Sequence, residues 1–130
     1  MNIGLGSRRK TILLVDADPH ARAVLRNALE AAGFTVGEAA SGREGERTAL
    51  RVKPDAILAD LMMETIDAGG VIADNLKNLG SRIPIYIVST ASDALIGAVG
   101  LRELGVSGVF LKPVDPAIVL QTLKIRLGTR

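Results

Sequence analysis

Residues 11–19 read Thr-Ile-Leu-Leu-Val-Asp-Ala-Asp-Pro, an apolar run that ends in a short acidic turn. A strand covered by helices on both faces shows such a continuous run, whereas a half-exposed strand alternates apolar and polar residues. Asp18 followed by Pro19 is typical of a helix start, with an N-cap before proline at the first helical position. The stretch therefore predicts a central parallel strand, a loop and a helix that ends near Gly33.

The same pattern of strand, loop and helix continues along the whole chain. Five strands alternate with five helices, which predicts right-handed crossovers and a parallel sheet with helices on both faces. The predicted strands cover residues 11–15, 34–39, 55–60, 84–88 and 108–111, and the predicted helices cover 19–32, 42–52, 71–79, 93–104 and 116–127. We therefore expect a doubly wound α/β fold.

The length and the hydrophobic content of the chain favour one domain. The 130 residues are 48% hydrophobic, which is enough for a single core. We expect a flexible leader over residues 1–9, a domain over 10–127 and a tail over 128–130. The net charge of the chain is only +2, whereas a dedicated nucleic-acid binder carries a concentration of positive charge. No direct nucleic-acid contact is therefore expected. No DNA-binding or catalytic segment follows Leu127, which favours a stand-alone domain that acts through protein contacts.

Cysteine is absent, which excludes disulfides, thiolate catalysis and sulfur-ligated zinc in this chain. No apolar stretch is long enough for a signal peptide or a membrane span. A cytoplasmic protein is the expectation that fits both observations.

Polar side chains follow four of the five predicted strands. Asp16, Asp60, Ser89 and Lys112 stand at the ends of the first, third, fourth and fifth strands. Ligands of open parallel sheets bind beyond the carboxyl ends of the strands, so these four groups are expected to meet at one edge. Clustered carboxylates suit a hard cation such as Mg²⁺, and an ammonium with a hydroxyl can compensate the charge of a phosphoryl group. The edge is therefore expected to handle phosphate.

Four landmarks in this order resemble those of bacterial response-regulator receiver domains. The resemblance covers about residues 10 to 127, and each landmark lies at the end of a predicted strand. They are Ile-Leu-Leu-Val-Asp at 12–16, Pro-Asp-Ala-Ile-Leu-Ala-Asp-Leu-Met-Met at 54–63, Pro-Ile-Tyr-Ile-Val-Ser at 84–89 and Leu-Lys-Pro at 111–113. The resemblance implies a flavodoxin-like three-layer sandwich with strand order 2-1-3-4-5.

The resemblance also implies a phosphoacceptor role. Asp60 would attack a phosphohistidine on a histidine kinase or phosphotransfer protein and form an aspartyl phosphate. Lys112 would pair with the acyl phosphate, and Ser89 would swing to hydrogen-bond it and remodel the fourth helix and fifth strand. The protein would be no enzyme beyond self-catalysed transfer and hydrolysis on its own aspartate.

The same resemblance implies a magnesium site. Asp16, Asp60 and the backbone carbonyl of Met62 would hold the cation, with Asp18 as an alternative ligand. Receiver domains usually carry two adjacent acids after the first strand, and here the second position is Ala17. Weak magnesium binding is therefore expected, and Asp18 also suits the N-cap of the first helix.

Other departures keep two alternatives open. Val109 stands where receivers often carry a signalling aromatic residue, and Phe110 should point to the opposite face of the strand. One alternative is therefore a degenerate pseudo-receiver that works as an interaction or dimerisation module without phosphorylation. The other is a small enzyme or nucleotide binder on the same fold, although no glycine-rich phosphate loop follows the first strand.

Apolar residues also occur where solvent is expected. Helical spacing puts Ile118 and Ile125 opposite the core face of the last helix, and turns Leu95 and Val99 outward on the fourth. Together with Val109 they predict a contact face formed by the fourth helix, fifth strand and last helix. We expect this face to form a homodimer or to dock a downstream protein effector.

Overall fold

The computed structural model of the chain describes residues 9–60, 83–90 and 106–129. Within these ranges the strands form one parallel sheet of order β2-β1-β3-β4-β5. The strands are β1 (Thr11–Val15), β2 (Thr35–Ala39), β3 (Ala56–Asp60), β4 (Ile85–Ser89) and β5 (Gly108–Leu111), and the helices are α1 (Pro19–Ala31), α2 (Gly42–Val52) and α3 (Pro116–Leu127). Helix α3 is the last of the five predicted helices; the predicted helices at 71–79 and 93–104 lie outside the described residues.

The central strands β1, β3 and β4 are buried on both faces, as the apolar run at the start of the chain predicts. On one face Leu13, Ile57 and Ile87 pack with Ala49 of α2. On the other face the strands pack against Leu29 of α1 and against the buried residues of α3. The result is a three-layer, doubly wound α/β sandwich with the predicted strand order. None of the helices within the described ranges is long and apolar enough to cross a membrane.

The helix starts follow the predicted capping residues. The Asp18 carboxylate accepts the N–H of His20, the Ser41 hydroxyl accepts that of Glu44, and the Asp115 carboxylate accepts that of Ala117. Each side chain satisfies a backbone donor that has no partner inside the helix. Short polar caps after β1, β2 and β5 therefore set where the three described helices begin.

Several predicted element ends are wrong by one residue. Helix α1 ends at Ala31, and β2 begins at Thr35. Strand β3 begins at Ala56, and Asp55 before it bonds Thr11 twice, donating its N–H to the Thr11 carbonyl and accepting the Thr11 N–H through its carboxylate. Ser89 is the last residue of β4, where it pairs with Leu111, and does not follow the strand as predicted. The predicted bounds of β5 and of α3 are confirmed.

Candidate functional site

Asp16, Asp60 and Lys112 lie at the carboxyl end of the sheet and are called the acidic edge below. The register pairs Val15 of β1 with Ala59 of β3, so Asp16 and Asp60 are the next residues along two adjacent strands. Lys112 follows β5, and its backbone N–H donates to the carbonyl of Ser89 over 2.8 Å. The parallel topology thus brings together three of the groups that the sequence places at this edge.

The acidic edge is built around an ion pair. Lys112 Nζ lies 3.0 Å from Asp60 Oδ2 and donates a hydrogen bond to it. The Asp60 side chain is 11% exposed and that of Lys112 is 38% exposed, so the pair is open on the lysine side. The Asp60 carboxylate is therefore held by the Lys112 ammonium group, which solvent can still reach. The peptide bond between Lys112 and Pro113 is cis.

Asp16 lies beside this pair in a half-buried position. Burial raises the pKa of its carboxyl group above the ordinary value, and the negative charge of Asp60 raises it further. The hydrogen bond from the Asp18 N–H, 2.8 Å from Asp16 Oδ1, and the charge of Lys112 oppose that rise only in part. The acidic edge therefore has two carboxylates for one ammonium, and ionised Asp16 is unfavourable there.

This balance of charge fits a hard divalent cation. Carboxylate oxygens are the ligands that Mg²⁺ prefers, and a cation would relieve the repulsion between Asp16 and Asp60. Within the described ranges no group of three or more His, Cys, Asp or Glu side chains could hold a metal ion. The protein ligands would thus be two carboxylates, together with the Met62 carbonyl, which lies outside the described residues. Magnesium binding stays a prediction.

Asp18 and Ala17 define the turn after β1. Asp18 Oδ1 accepts the His20 N–H over 2.9 Å, so this side chain has the capping role that the sequence predicts. Its role as an alternative metal ligand stays a prediction. Ala17 is exposed in this turn, which leaves no carboxylate at the position of the usual second acid.

Ser89 is fully buried at the end of β4. Its hydroxyl donates to the backbone carbonyl of Thr90 over 3.0 Å. The residue therefore lies at the predicted edge of the sheet, and its hydroxyl would have to exchange this bond for one to a phosphoryl oxygen. The swing of Ser89 stays a prediction.

A cavity of about 280 Å³ opens beside the acidic edge. Asp16, Asp18 and Lys112 line its polar side, while apolar residues of α1, β4 and the turn after β5 line the rest. Asp16 and Lys112 are therefore accessible to a small group from outside, and Asp60, which does not line this cavity, lies behind them as the partner of Lys112.

The predicted contact face is partly described. Val109 is 39% exposed while its neighbour Phe110 is buried, as strand alternation predicts, and Ile118 and Ile125 are 54% and 75% exposed. Leu111 is also exposed and was missed, although the same alternation puts it on the Val109 side. The predicted contact residues Leu95 and Val99 lie outside the described residues.

The sequence reasoning also missed a group of charged residues next to the acidic edge, called the arginine cluster below. Arg22 and Arg26 of α1 pair with Glu38 of β2, at 3.2 Å and 2.9 Å. Arg22 also donates through Nη1 to the backbone carbonyl of Asp16. The signal in the sequence was the four-residue spacing of the two arginines, which puts them on one face of α1.

Comparisons with known proteins give the family and the fold of this chain. The family model described as response regulator receiver domain matches residues 12–124. The transcriptional regulatory protein PrrA of Mycobacterium leprae is 32% identical over 130 residues, which cover 100% of this chain and 54% of that protein. A putative response regulator from Chloroflexus aurantiacus is 28% identical, with a TM-score of 0.81 over 93% of this chain and 99% of that one. Chemotaxis protein CheY4 of Vibrio cholerae, at 24% identity and a TM-score of 0.82 over 91% of this chain and 98% of that one, shows the same fold.

The structure shows a doubly wound α/β domain with an acidic edge, and the family match gives its class. This chain belongs to the response regulator receiver domain family, whose members act in two-component signalling. It spans about half the length of PrrA, which it matches over 130 residues.

Proposed function

We propose that this domain accepts a phosphoryl group on Asp60 from a histidine kinase or phosphotransfer protein. The observation that carries the proposal is the Lys112 ammonium, 3.0 Å from the Asp60 carboxylate and beside Asp16, at an edge that a cavity opens to solvent. A lysine so placed can compensate the negative charge that a phosphoryl group brings to a carboxylate.

The chemistry follows from the residues of the acidic edge. A carboxylate oxygen of Asp60 forms the new O–P bond while the P–N bond of a phosphohistidine breaks, and the departing imidazole nitrogen takes up a proton from solvent or keeps its lone pair. Lys112 then pairs with the oxygens of the acyl phosphate, and Ser89 gives up the Thr90 carbonyl to hydrogen-bond them. Hydrolysis of the acyl phosphate on Asp60 would reset the domain; no other enzymatic activity is proposed.

Asp16 and Asp60 would hold Mg²⁺, with the Met62 carbonyl as a further ligand. When bound, the metal supplies positive charge that offsets the repulsion between carboxylates and phosphoryl oxygens. Because Ala17 gives no second acid and one Asp18 oxygen caps α1, we expect magnesium affinity below that of a site with three carboxylates.

The test is incubation with phosphoramidate and magnesium, followed by mass spectrometry of the intact protein. The wild type should gain one phosphoryl group, and Asp60→Asn should gain none. Asp55→Asn is the matched control, because it changes the same residue type at the other end of β3, where an amide oxygen can still accept the Thr11 N–H. Equal labelling of wild type and Asp60→Asn would contradict the proposal.

A second candidate function is a degenerate receiver that acts without phosphorylation. The exposed Ala17 favours it, because the usual second acid is missing from the turn after β1. Val109 favours it as well, since it replaces the aromatic residue that receivers often use. Absence of phosphoryl transfer with an intact fold would support this candidate.

In either case we propose that the signal leaves through the contact face of Val109, Ile118 and Ile125, with a homodimer or a protein effector in the cytoplasm as its partner. The exposure of these apolar residues supports the proposal. Ile118→Lys and Ile125→Lys together should shift the sedimentation coefficient toward that of a monomer or abolish effector binding. A wild type that is monomeric, with effector binding unchanged in the double variant, would remove it.

A further inference from the structure

Arg22 connects the arginine cluster to the acidic edge through one guanidinium group. Its Nε pairs with Glu38 Oε1 at 3.2 Å, and its Nη1 donates to the backbone carbonyl of Asp16. The Arg22 side chain is only 16% exposed. A single planar group thus joins α1 and the β2 strand to the peptide that follows Asp16.

Two more polar atoms of Asp16 are held by neighbouring backbone. Its N–H donates to the Ala39 carbonyl over 3.0 Å, and its Oδ1 accepts the Asp18 N–H over 2.8 Å. The contact from Arg22 therefore completes the fixing of both peptide groups that flank the Asp16 side chain. With its backbone and one carboxylate oxygen held, the direction of the carboxylate is restricted.

Asp16, Asp60 and Arg22 all line one small cavity of about 10 Å³, so Arg22 lies close to both aspartates of the acidic edge. Arg22 contacts the main chain of Asp16 and the side chain of Glu38. It can therefore orient Asp16 while its charge is paired by Glu38.

Only arginine meets the geometry at this position. A guanidinium has donors in a rigid fork, so it can bond Glu38 and the Asp16 carbonyl at the same time, whereas a lysine ammonium is a point charge on a flexible chain. Arg26 gives an internal comparison, since it pairs with the same Glu38 at 2.9 Å and with Glu30 at 3.9 Å. The two arginines share a carboxylate but differ in their contact with Asp16.

We infer that Arg22, anchored by Glu38, is a positioning residue that holds the peptide of Asp16 so that its carboxylate is directed toward Asp60 and the cation. The consequence for metal binding rests on the proposed function of Asp16. The positioning itself is a property of the metal-free fold. A positive charge at residue 22 is then not enough to hold the Asp16 peptide. The side chain also needs the several N–H donors of a guanidinium group, so that it can bond Glu38 and the Asp16 carbonyl together.

The first measurement reads the orientation of Asp16 without metal. The amide exchange rate of Asp18, whose N–H is bonded to Asp16 Oδ1, is measured by NMR magnetisation exchange with water. In Arg22→Ala the rate should rise roughly tenfold, the effect of losing one hydrogen bond to a charged acceptor. In Arg26→Ala it should change by less than about twofold, because that variant loses the Glu38 ion pair but keeps the Asp16 contact.

The second measurement reads the consequence for the cation. Magnesium affinity is obtained from NMR titration of the same variants. Arg22→Ala should bind Mg²⁺ roughly tenfold more weakly, as is typical when a residue that orients a metal ligand is lost, and Arg26→Ala should bind as the wild type does. Arg22→Lys keeps the positive charge and serves as the second variant if Arg22→Ala fails to fold. It should resemble Arg22→Ala in both measurements.

The outcomes separate this inference from the proposed function. Equal Asp18 exchange in Arg22→Ala and Arg26→Ala would overturn the inference, as would wild-type behaviour of Arg22→Lys in exchange and in magnesium affinity. Faster exchange in Arg22→Ala with no magnesium binding by the wild type would support the positioning role. It would contradict instead the magnesium role of Asp16.

Discussion

The arginine cluster and the acidic edge are neighbouring groups of charges with opposite balance. In the arginine cluster two guanidinium groups surround one carboxylate, that of Glu38. In the acidic edge one ammonium group, that of Lys112, serves two carboxylates. The comparison shows that a chain of near-neutral net charge can contain two different clusters. In the arginine cluster the carboxylate is fully paired with cationic groups, whereas the acidic edge has an excess of negative charge that an added cation would offset.

The pKa values of Glu38 and Asp16 are shifted in opposite directions, as the charge balance of the two clusters predicts. Burial raises the pKa of Glu38, but the hydrogen bonds and charges of Arg26 and Arg22 outweigh it and hold that pKa below its ordinary value. Burial and the nearby Asp60 raise the pKa of Asp16. Ionised Glu38 therefore stabilises the fold, whereas ionised Asp16 costs stability in the metal-free protein.

The largest effect should come from removing the ammonium of the acidic edge. Lys112→Met leaves Asp16 and Asp60 without their shared cation, so phosphoryl uptake from phosphoramidate should fall about a hundredfold, the usual loss when one charge-stabilising donor is removed. Initial rates of labelling measured by mass spectrometry give the comparison. Lys124→Met, on α3, should keep the wild-type rate. Labelling of Lys112→Met at the wild-type rate would show that the ion pair is only structural.

Adding a carboxylate to the acidic edge should increase its excess of negative charge and so its affinity for magnesium. Ala17→Asp supplies the missing second acid, so magnesium affinity should rise about tenfold because ligand charge increases. Isothermal titration calorimetry at pH 7 measures the change. Ala40→Asp puts the same charge after the neighbouring strand β2 and should have little effect. A similar gain in both variants would mean that net charge alone attracts the cation.

Neutralising the carboxylate of the arginine cluster should destabilise the fold. Glu38→Gln should lower the free energy of unfolding by about 1 kcal/mol at pH 7, the upper range for partly exposed ion pairs. Because the folded pKa of Glu38 is lowered, the stabilisation is present above its ordinary value of 4.5 and is lost as the pH falls through the folded pKa. Urea titrations from pH 7 to pH 3 should show the two proteins converging. Glu30→Gln, whose partner Arg26 is 3.9 Å away, should lie within a few tenths of a kcal/mol of wild type.

Neutralising Asp16 should change the free energy of unfolding in the opposite direction to neutralising Glu38. Asp16→Asn keeps an oxygen for the Asp18 N–H but removes the charge, so it should stabilise the metal-free protein by a few tenths of a kcal/mol at pH 7, a small gain because the group is half exposed. Since the folded pKa is raised, the gain should disappear as the pH falls through that pKa to below the ordinary value of 3.8. Asp18→Asn, which retains a capping oxygen, serves as the control. A loss of stability in Asp16→Asn would contradict the assigned charge balance.

Much of the fold is readable from the sequence because each signal there is local. Continuous apolar runs indicate the buried strands, and Asp18 and Asp115 before proline indicate two helix starts. The ends of strands were less certain, because Asp55 and Ser89 take part in pairing that depends on neighbouring strands. The position of Lys112 opposite Asp60 follows from topology, since parallel strands end at one edge.

The arginine cluster could not be predicted in the same way. Arg22 and Glu38 are separated by 16 residues, and their contact depends on how α1 crosses over β2. Nothing local distinguishes Arg22, which reaches the Asp16 carbonyl, from Arg26, which pairs only with carboxylates among the described contacts. Site residues that act through backbone contacts leave little trace in residue type or spacing.

The measurement that tests the account most directly is the change in melting temperature on adding Mg²⁺ at pH 7. A ligand that binds only the folded state raises its stability, by about 2.7 kcal/mol at a hundred times the dissociation constant. The account predicts a rise for wild type and for Glu30→Gln, whose partner is Arg26, and a much smaller rise for Asp16→Asn. An unchanged melting temperature in wild type, or an equal rise in Asp16→Asn, would contradict the claim that the two aspartates of the acidic edge form a cation site.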